Sequence, residues 1–253
     1  MNYQYKYSTL HGARTLNLMK RTRKAEQVLR IIIDYVSIIN SSSNIKNWHV
    51  LDIGCSSGMF INYISENFKS ILGIDIDQDA IDIAEKQYKK DNIKYSVANI
   101  DDINIDENFD LIICNSVLEH VPDKISLLNA IYKHLKIGGI CFLSVPNKYT
   151  LFKEPHYDLY LLSWFPKTIS NLYLKVINKG DYYYETPPSY QKLKRLCKDF
   201  IIHNYTIERI KHPEKYALEW RLKKGSILSK LPFFILRIIS FFSPSFVFIL
   251  EKK

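Results

Sequence analysis

The sequence predicts an α/β fold, a doubly wound sheet whose strands alternate with helices, and two observations lead there. His49-Val50-Leu51-Asp52-Ile53 is a strand-like run that passes through Gly54-Cys55-Ser56-Ser57-Gly58 straight into an apolar helix from Met59 to Glu66. Ser70-Ile71-Leu72-Gly73-Ile74-Asp75 is a second strand, and its terminal carboxylate lies 21 residues after Gly54. A strand, a turn without bulk, a helix and an acid at the tip of the next strand make a nucleoside pocket. The glycines let backbone approach the ligand, and the acid accepts hydrogen bonds from ribose hydroxyls.

The other elements follow in chain order. Residues 14–39 read as one or two helices, basic at Arg14, Lys20, Arg21, Arg23 and Lys24 and then apolar, broken by Ser41-Ser42-Ser43-Asn44. Ile93 to Ala98 reads as the third strand, leading into Asn99-Ile100-Asp101-Asp102. Phe109 to Asn115 is the fourth, an apolar run of the kind buried on both faces. A helix from Asp123 to Leu135 ends at Gly138-Gly139, a C-cap signal, and Ile140 to Pro146 is the fifth strand. Ser189 to Phe200 reads as a helix, Ile201 to Ile210 as the sixth strand and Ser245 to Glu251 as the seventh.

The turn itself discriminates between ligands. A dinucleotide site carries G-x-G-x-x-G and aims a helix N-terminus at a pyrophosphate. Here Asp52-x-Gly54-x-Ser56-x-Gly58 places a carboxylate at the head of the turn. That charge repels a pyrophosphate and attracts a sulfonium and an α-amino group. The pattern resembles D/E-x-G-x-G-x-G, the first motif of the class I S-adenosylmethionine-dependent methyltransferases, with Ser56 in the place of the middle glycine. Asn99-Ile100 after the third strand and Asn115-Ser116-Val117-Leu118-Glu119-His120-Val121-Pro122 after the fourth extend the resemblance across residues 48–147.

The resemblance implies a Rossmann-like, doubly wound seven-stranded mixed sheet with N-terminal helices and an inserted cap, its last strand antiparallel beside the sixth. One domain of 253 residues is expected, with an N-terminal helical cover at 1–47, a cofactor core at 48–147, a substrate cap at 148–188 and C-terminal strands with an apolar insert at 189–253. The implied cofactor is S-adenosyl-L-methionine. Asp52, Gly54, Cys55, Ser56 and Gly58 would form its turn, Asp75 the ribose contact with Ile76 beside it, Asn99 and Ile100 the adenine contacts and Asn115 the methionine side.

Methyl transfer is an in-line displacement, so alignment and exclusion of water matter most, and a hydroxyl nucleophile also benefits from a general base. Glu119 and His120, just past the fourth strand, are the first candidates. His156, in the aromatic segment from Asn147 to Pro188, is the other. Quinone-ring O-methyltransferases carry E-x-x-E-H here and hold a divalent metal with it. Ser116 stands at the first of those positions, which leaves two ligands of three, and no metal site is expected. The aromatic segment also holds Tyr157, Tyr160, Trp164, Phe165 and Tyr182-Tyr183-Tyr184, rings suited to a sugar, a quinone or an acyl chain.

The net charge of +9 comes from scattered lysines, as on a solvated surface. Without a zinc knuckle, an Arg-rich arm or an RNA-binding motif, nucleic acid is the lesser partner. Four cysteines without a C-x-x-C pair fit buried thiols in a reducing, cytoplasmic compartment, and the first residues lack the apolar core of a signal peptide. Leu231 to Leu250 is apolar over the length of a membrane span, yet Pro232, Arg237 and Pro244 interrupt it and a span would remove the last strand. Following Arg221, Lys223, Lys224 and Lys230, residues 221–243 instead suit a helix lying peripherally on the anionic inner face of a membrane, or packing on the cap or in a homodimer. The expected activity is transfer of a methyl group to a hydroxyl of a glycan sugar, quinone or lipid-linked acceptor. The alternatives are an RNA methyltransferase with the basic N-terminal helix as a phosphate track, and a non-catalytic S-adenosylmethionine-binding partner of another enzyme.

Overall fold

The computed structural model describes residues 18–39, 44–100 and 108–253. The expected helix start at Arg14, the Ser41–Ser43 break and Asp101-Asp102 lie outside them. Seven strands form one mixed sheet: β1 (His49–Ile53), β2 (Ser70–Asp75), β3 (Ile93–Val97), β4 (Phe109–Asn115), β5 (Leu135–Pro146), β6 (Phe200–Asn204) and β7 (Ser245–Lys252). Their order is β3-β2-β1-β4-β5-β7-β6, with β7 antiparallel to both its neighbours and the other pairs parallel. Chain order reverses between β1 and β4, and that switch point opens a crevice at the carboxyl ends of the strands.

The central strands are apolar on both faces because both faces are covered. Val50, Leu51, Leu111, Ile112, Ile113 and Cys114 are fully buried. On one side they meet Ala25, Val28, Ile31 and Ile32 of α1 (Leu18–Ile39), together with Phe60 and Ile61 of α2 (Met59–Ile64). On the other they meet Leu127, Leu128 and Ile131 of α4 (Lys124–His134) and Leu193 of α6 (Tyr190–Leu196). Helix α3 (Gln78–Gln87) starts at Asp77, whose side chain accepts from the Ala80 amide. All four cysteines are buried and unpaired.

Several expected boundaries differ. The helix after the turn ends at Ile64 and tightens into a 3₁₀ turn over Ser65–Asn67. Gly138-Gly139 do not cap α4, which ends at Leu135 in extended conformation. They instead form a bulge within β5, where the register with β4 slips between Phe109 and Leu111 and Gly138 takes φ +73. The sixth strand stops at Asn204, whose side chain accepts from the Thr206 amide and starts α7 (Tyr205–Lys211), so a cap cuts short the run expected to reach Ile210. Residues 221–243 are no single helix: Pro232 separates α8 (Ile227–Lys230) from α9 (Phe233–Ile239), and a 3₁₀ turn follows at Ser240–Phe242. No helix among the described residues is long and apolar enough to cross a membrane.

Between β5 and α6 the chain folds over the carboxyl end of the sheet. A bridge pairs Glu154 with Leu159, and α5 (Lys167–Val176) packs Leu174 against Leu159, Leu162 and Tyr183. This small apolar cluster gives the cap its own core.

Candidate active site

A cavity of about 330 Å³ fills the switch-point crevice. Its walls bring together Asp52, Gly54, Cys55 and Ser56 of the first turn, Asp75 and Ile76 after β2, Asn99 and Ile100 after β3, and Asn115 after β4. His120 and the cap residue His156 line the same cavity. Of the predicted site residues, Gly58 and Glu119 stand outside that lining.

The turn is shaped by backbone conformations that favour glycine. Gly54 and Gly58 lie at φ +72 and +75. A Cβ at Gly54 would sit 2.6 Å from Val117 Cγ2, and one at Gly58 would sit 2.6 Å from Tyr95 Oη. Ser56 also takes a positive φ, +51, which accounts for a glycine at this place in the motif it resembles. The Ser56 amide donates to Asp75 Oδ2 at 2.8 Å and the Asp77 amide to Oδ1 at 3.0 Å, so the carboxylate is aimed by backbone. Burial, and then the neighbouring Asp75, pushes the Asp52 carboxyl well above its ordinary range, while Arg21 opposes the shift.

Helix α1 supplies two cavity residues that the sequence reading had counted only as part of a basic helix. Arg21 donates to Ser56 Oγ at 3.4 Å, and Lys24 donates to Ser116 Oγ at 2.8 Å. Burial lowers the Lys24 ammonium to about 8 despite the attraction of Glu119.

The other end of the cavity is a cluster of acids and imidazoles. The His120 and His156 rings meet edge to face at 4.8 Å. Their Nε2 atoms lie 3.9 and 4.0 Å from Glu119 Oε1. Glu154 accepts from the His156 and Tyr157 amides at 2.8 Å each and pairs with His156 Nδ1 at 2.5 Å. Glu185 Oε1 lies 3.9 Å from His120 Nδ1. Burial raises Glu119 to about 7, with His156 opposing the rise, and burial also raises Glu185. Burial would lower His156, but its hydrogen bond to Glu154 and the surrounding acids outweigh that and raise it.

The comparisons agree with this geometry. A family model described as "Methyltransferase domain" matches residues 51–143, from β1 through most of β5. The ubiquinone biosynthesis O-methyltransferase of Hydrogenovibrio crunogenus is 26% identical over 199 residues, covering 77% of this chain and 79% of that protein. Its counterpart from Coxiella burnetii is 31% identical over 113 residues, 44% of this chain and 48% of that protein. Among solved structures, the plantazolicin methyltransferase BpumL, crystallised with S-adenosyl-L-homocysteine, superposes with a TM-score of 0.61 at 17% identity over 97% of this chain and 90% of its own. The chain is an S-adenosylmethionine-dependent methyltransferase with the Rossmann-like fold of class I.

The cavity of this methyltransferase fits S-adenosylmethionine, its methyl donor. Asn115 Oδ1 is buried there with no hydrogen-bond partner among the described residues, an acceptor suited to a ligand donor. Asp52 and Asp75 add carboxylates suited to a cationic, polyhydroxylated ligand. Sequence reasoning missed Glu154 and Glu185. Glu154 stood in plain view two residues before His156, but only the fold turns it onto the imidazole. Glu185 follows the tyrosine cluster with no motif around it, and no local signal could have singled it out.

Proposed function

We propose that the methyltransferase methylates a hydroxyl on the ring of a quinone-class, lipid-linked acceptor. One observation carries the reading: a single cavity runs from the donor turn to His120 and to His156 of the cap. The ubiquinone biosynthesis enzymes among its relatives support a quinone over a glycan. Bound S-adenosylmethionine supplies a methyl group on a sulfonium leaving group. The chain's own residues then have three tasks. Asp75 accepts from the ribose hydroxyls, Asn99 and Ile100 face the adenine, and Asp52, Gly54, Cys55, Ser56, Gly58, Ile76 and Asn115 hold the remainder. The cap excludes water. The Glu119–His120–His156 group receives the acceptor proton, since a phenolic hydroxyl is a weak nucleophile until it ionises.

Incubation with labelled S-adenosylmethionine and separated quinol, glycan and RNA pools tests this reading. Label is expected in the quinol pool, and label confined to glycan or RNA would overturn the acceptor assignment.

The reading extends to an anionic bilayer as the surface where such an acceptor is met. Phe233, Phe234 and Ile238 of α9 are exposed, as are Lys223, Lys224, Lys230 and Arg237 in the same stretch of chain. The Phe242 ring stacks on Trp164 of the cap, and Leu151 donates to the Phe242 carbonyl, which joins this face to the exposed Leu151 and Phe152. Apolar side chains rimmed by cations suit an interfacial site. Flotation with phosphatidylglycerol vesicles should retain the protein, and Phe234→Asp should release it. Equal flotation of the variant would remove the bilayer from the reading.

A further inference from the structure

We propose that Lys24, Arg209 and Arg221 bind a phosphate group carried by the methyl acceptor. Cations from three parts of the chain gather at the carboxyl edge of the sheet. Arg21 of α1 donates to Ser56 Oγ in the turn after β1, and Lys24, one helical turn on, donates to Ser116 Oγ after β4. Arg209 of α7 donates through Nη2 to the carbonyl and the hydroxyl of Ser245, at 2.8 and 2.9 Å. Ser245 opens the antiparallel β7 opposite Pro146, the last residue of β5, so it lies at the same edge. The strand order β1-β4-β5-β7 therefore sets Arg21, Lys24 and Arg209 in a row leading away from the turn proposed for the donor. Two strand spacings, about 10 Å, separate the anchors of Lys24 and Arg209. Arg221 joins from the segment after α7: its guanidinium lies 4.2 Å from the centre of the Trp220 ring, with that of Arg23 of α1 at 5.6 Å from the same ring.

No acid answers these charges. Among the described residues no carboxylate comes within ion-pair distance of Lys24, Arg209 or Arg221; the acids on the neighbouring elements are engaged elsewhere, Glu26 with Arg30, Asp34 with Lys215 and Glu214 with Lys224. Arg209 is only 7% exposed, its hydrogen bonds go to neutral oxygens, and its Nε is buried with no partner among the described residues. The cations instead feel one another. Burial lowers the Lys24 ammonium to about 8; Glu119 opposes that, while Arg221, Arg21 and Arg209 add to it. Burial and then Arg221 lower Arg209 to about 10. Buried charges of one sign are costly until a counter-ion joins them.

The number of cations selects the anion. A carboxylate brings one negative charge, which one of them would satisfy. A phosphate brings about two, with three acceptor oxygens, and the fork of a guanidinium matches its geometry. Lys24 lines the cavity and Arg221 is exposed, so the charge extends from the interior to the surface, as a ligand entering from outside requires.

This inference deepens the proposed function, on which it rests for the acceptor: the molecule that gains the methyl group also carries a phosphate. The test uses the full chain saturated with S-adenosyl-L-homocysteine, so that the donor's contacts are already made. Calorimetric titration with pyrophosphate should show one site per chain. Lys24→Gln and Arg209→Gln should each weaken it about tenfold or more, the loss expected for one charged hydrogen bond, and the exposed Arg221→Gln by less. Should Arg209→Gln fail to fold, Arg209→Lys, which keeps the charge, should retain pyrophosphate, and Lys24→Gln and Arg221→Gln decide the matter. Phosphatase treatment of the quinol pool before incubation with labelled S-adenosylmethionine should remove most of the label it takes up. No pyrophosphate binding by the loaded wild type, or equal affinity in Lys24→Gln and Arg221→Gln, overturns the site. Pyrophosphate binding that S-adenosyl-L-homocysteine displaces also overturns it, since the cations would then serve the donor, and so does equal label after phosphatase. Label in the quinol pool would leave methyl transfer standing in each case. Label absent from the untreated quinol pool would instead strike the acceptor reading, whatever the pyrophosphate affinity.

Discussion

Two glycines with nearly the same φ separate the cost of conformation from the cost of crowding. Gly58, in the turn after β1, has φ +75, and Gly138, in the β5 bulge, has φ +73. An added Cβ at Gly138 meets nothing within 4 Å. Gly138→Ala therefore pays only for the left-handed backbone, about 1–2 kcal/mol, offset in part by the freedom alanine gives up in the unfolded chain. At Gly58 the same Cβ would lie 2.6 Å from Tyr95 Oη, 2.9 Å from Tyr95 Cε1 and 2.9 Å from Ala84 Cβ. Moving the Tyr95 ring aside also strains its 3.2 Å hydrogen bond to the Tyr88 carbonyl. Overpacking of this kind costs about 1–3 kcal/mol. Gly58→Ala should thus be less stable than Gly138→Ala by about 2 kcal/mol, roughly 4–8 °C in Tm for a chain of this size. Urea unfolding of both variants, with S-adenosyl-L-homocysteine calorimetry alongside, measures the difference. Equal destabilisation would refute the close approach of the turn to β3 and α3.

Asp75→Ala should weaken S-adenosyl-L-homocysteine binding at least about tenfold by calorimetry, because hydrogen bonds to a charged group are worth about 1.5–3 kcal/mol each; unchanged affinity would remove it as the ribose contact. Ser56→Gly, which relieves a positive φ at the cost of a weak bond from Arg21, should leave the ligand-free chain as stable or up to about 1 kcal/mol more stable in urea; a clear loss would mean the Ser56 side chain contributes more than its backbone costs. Asp52→Asn should have opposite effects on stability and binding. Because burial raises the Asp52 pKa above its ordinary 3.8, the folded chain keeps this proton where the unfolded chain has lost it, and wild-type stability falls as pH rises through that window. The variant escapes this fall, so its urea midpoint should exceed the wild type's near pH about 7 and match it at or below pH about 4, while donor affinity drops. A midpoint difference that does not change with pH would refute that account.

The β1 turn and its acid were legible in the sequence because the pocket's chemistry is local. A short run sets the glycine conformations, and β2 delivers Asp75 at a fixed register beside β1, where Asp52 pairs with Gly73. The sheet was legible for a related reason: strands buried on both faces read as continuous apolar runs, and β4 and β2 fell on the expected residues. What failed were endings decided by a neighbour. Gly138-Gly139 has the composition of a helix cap but lies in β5 because Phe109 of β4 pairs with Leu135 before it and Leu111 with Ile140 after it. The run after Phe200 has a strand's composition, but Asn204 caps a helix.

The sequence alone brought out the end of the cavity proposed to hold the donor, since its residues are close in the chain or one strand apart. Only the tertiary structure assembled the end proposed for the acceptor. Glu119 and His120 come from the loop after β4, Glu154, His156 and Glu185 from the cap, and Lys24 from α1, so no spacing links them. They meet because the chain between β5 and α6 folds back over the sheet and sets buried acids against the two imidazoles.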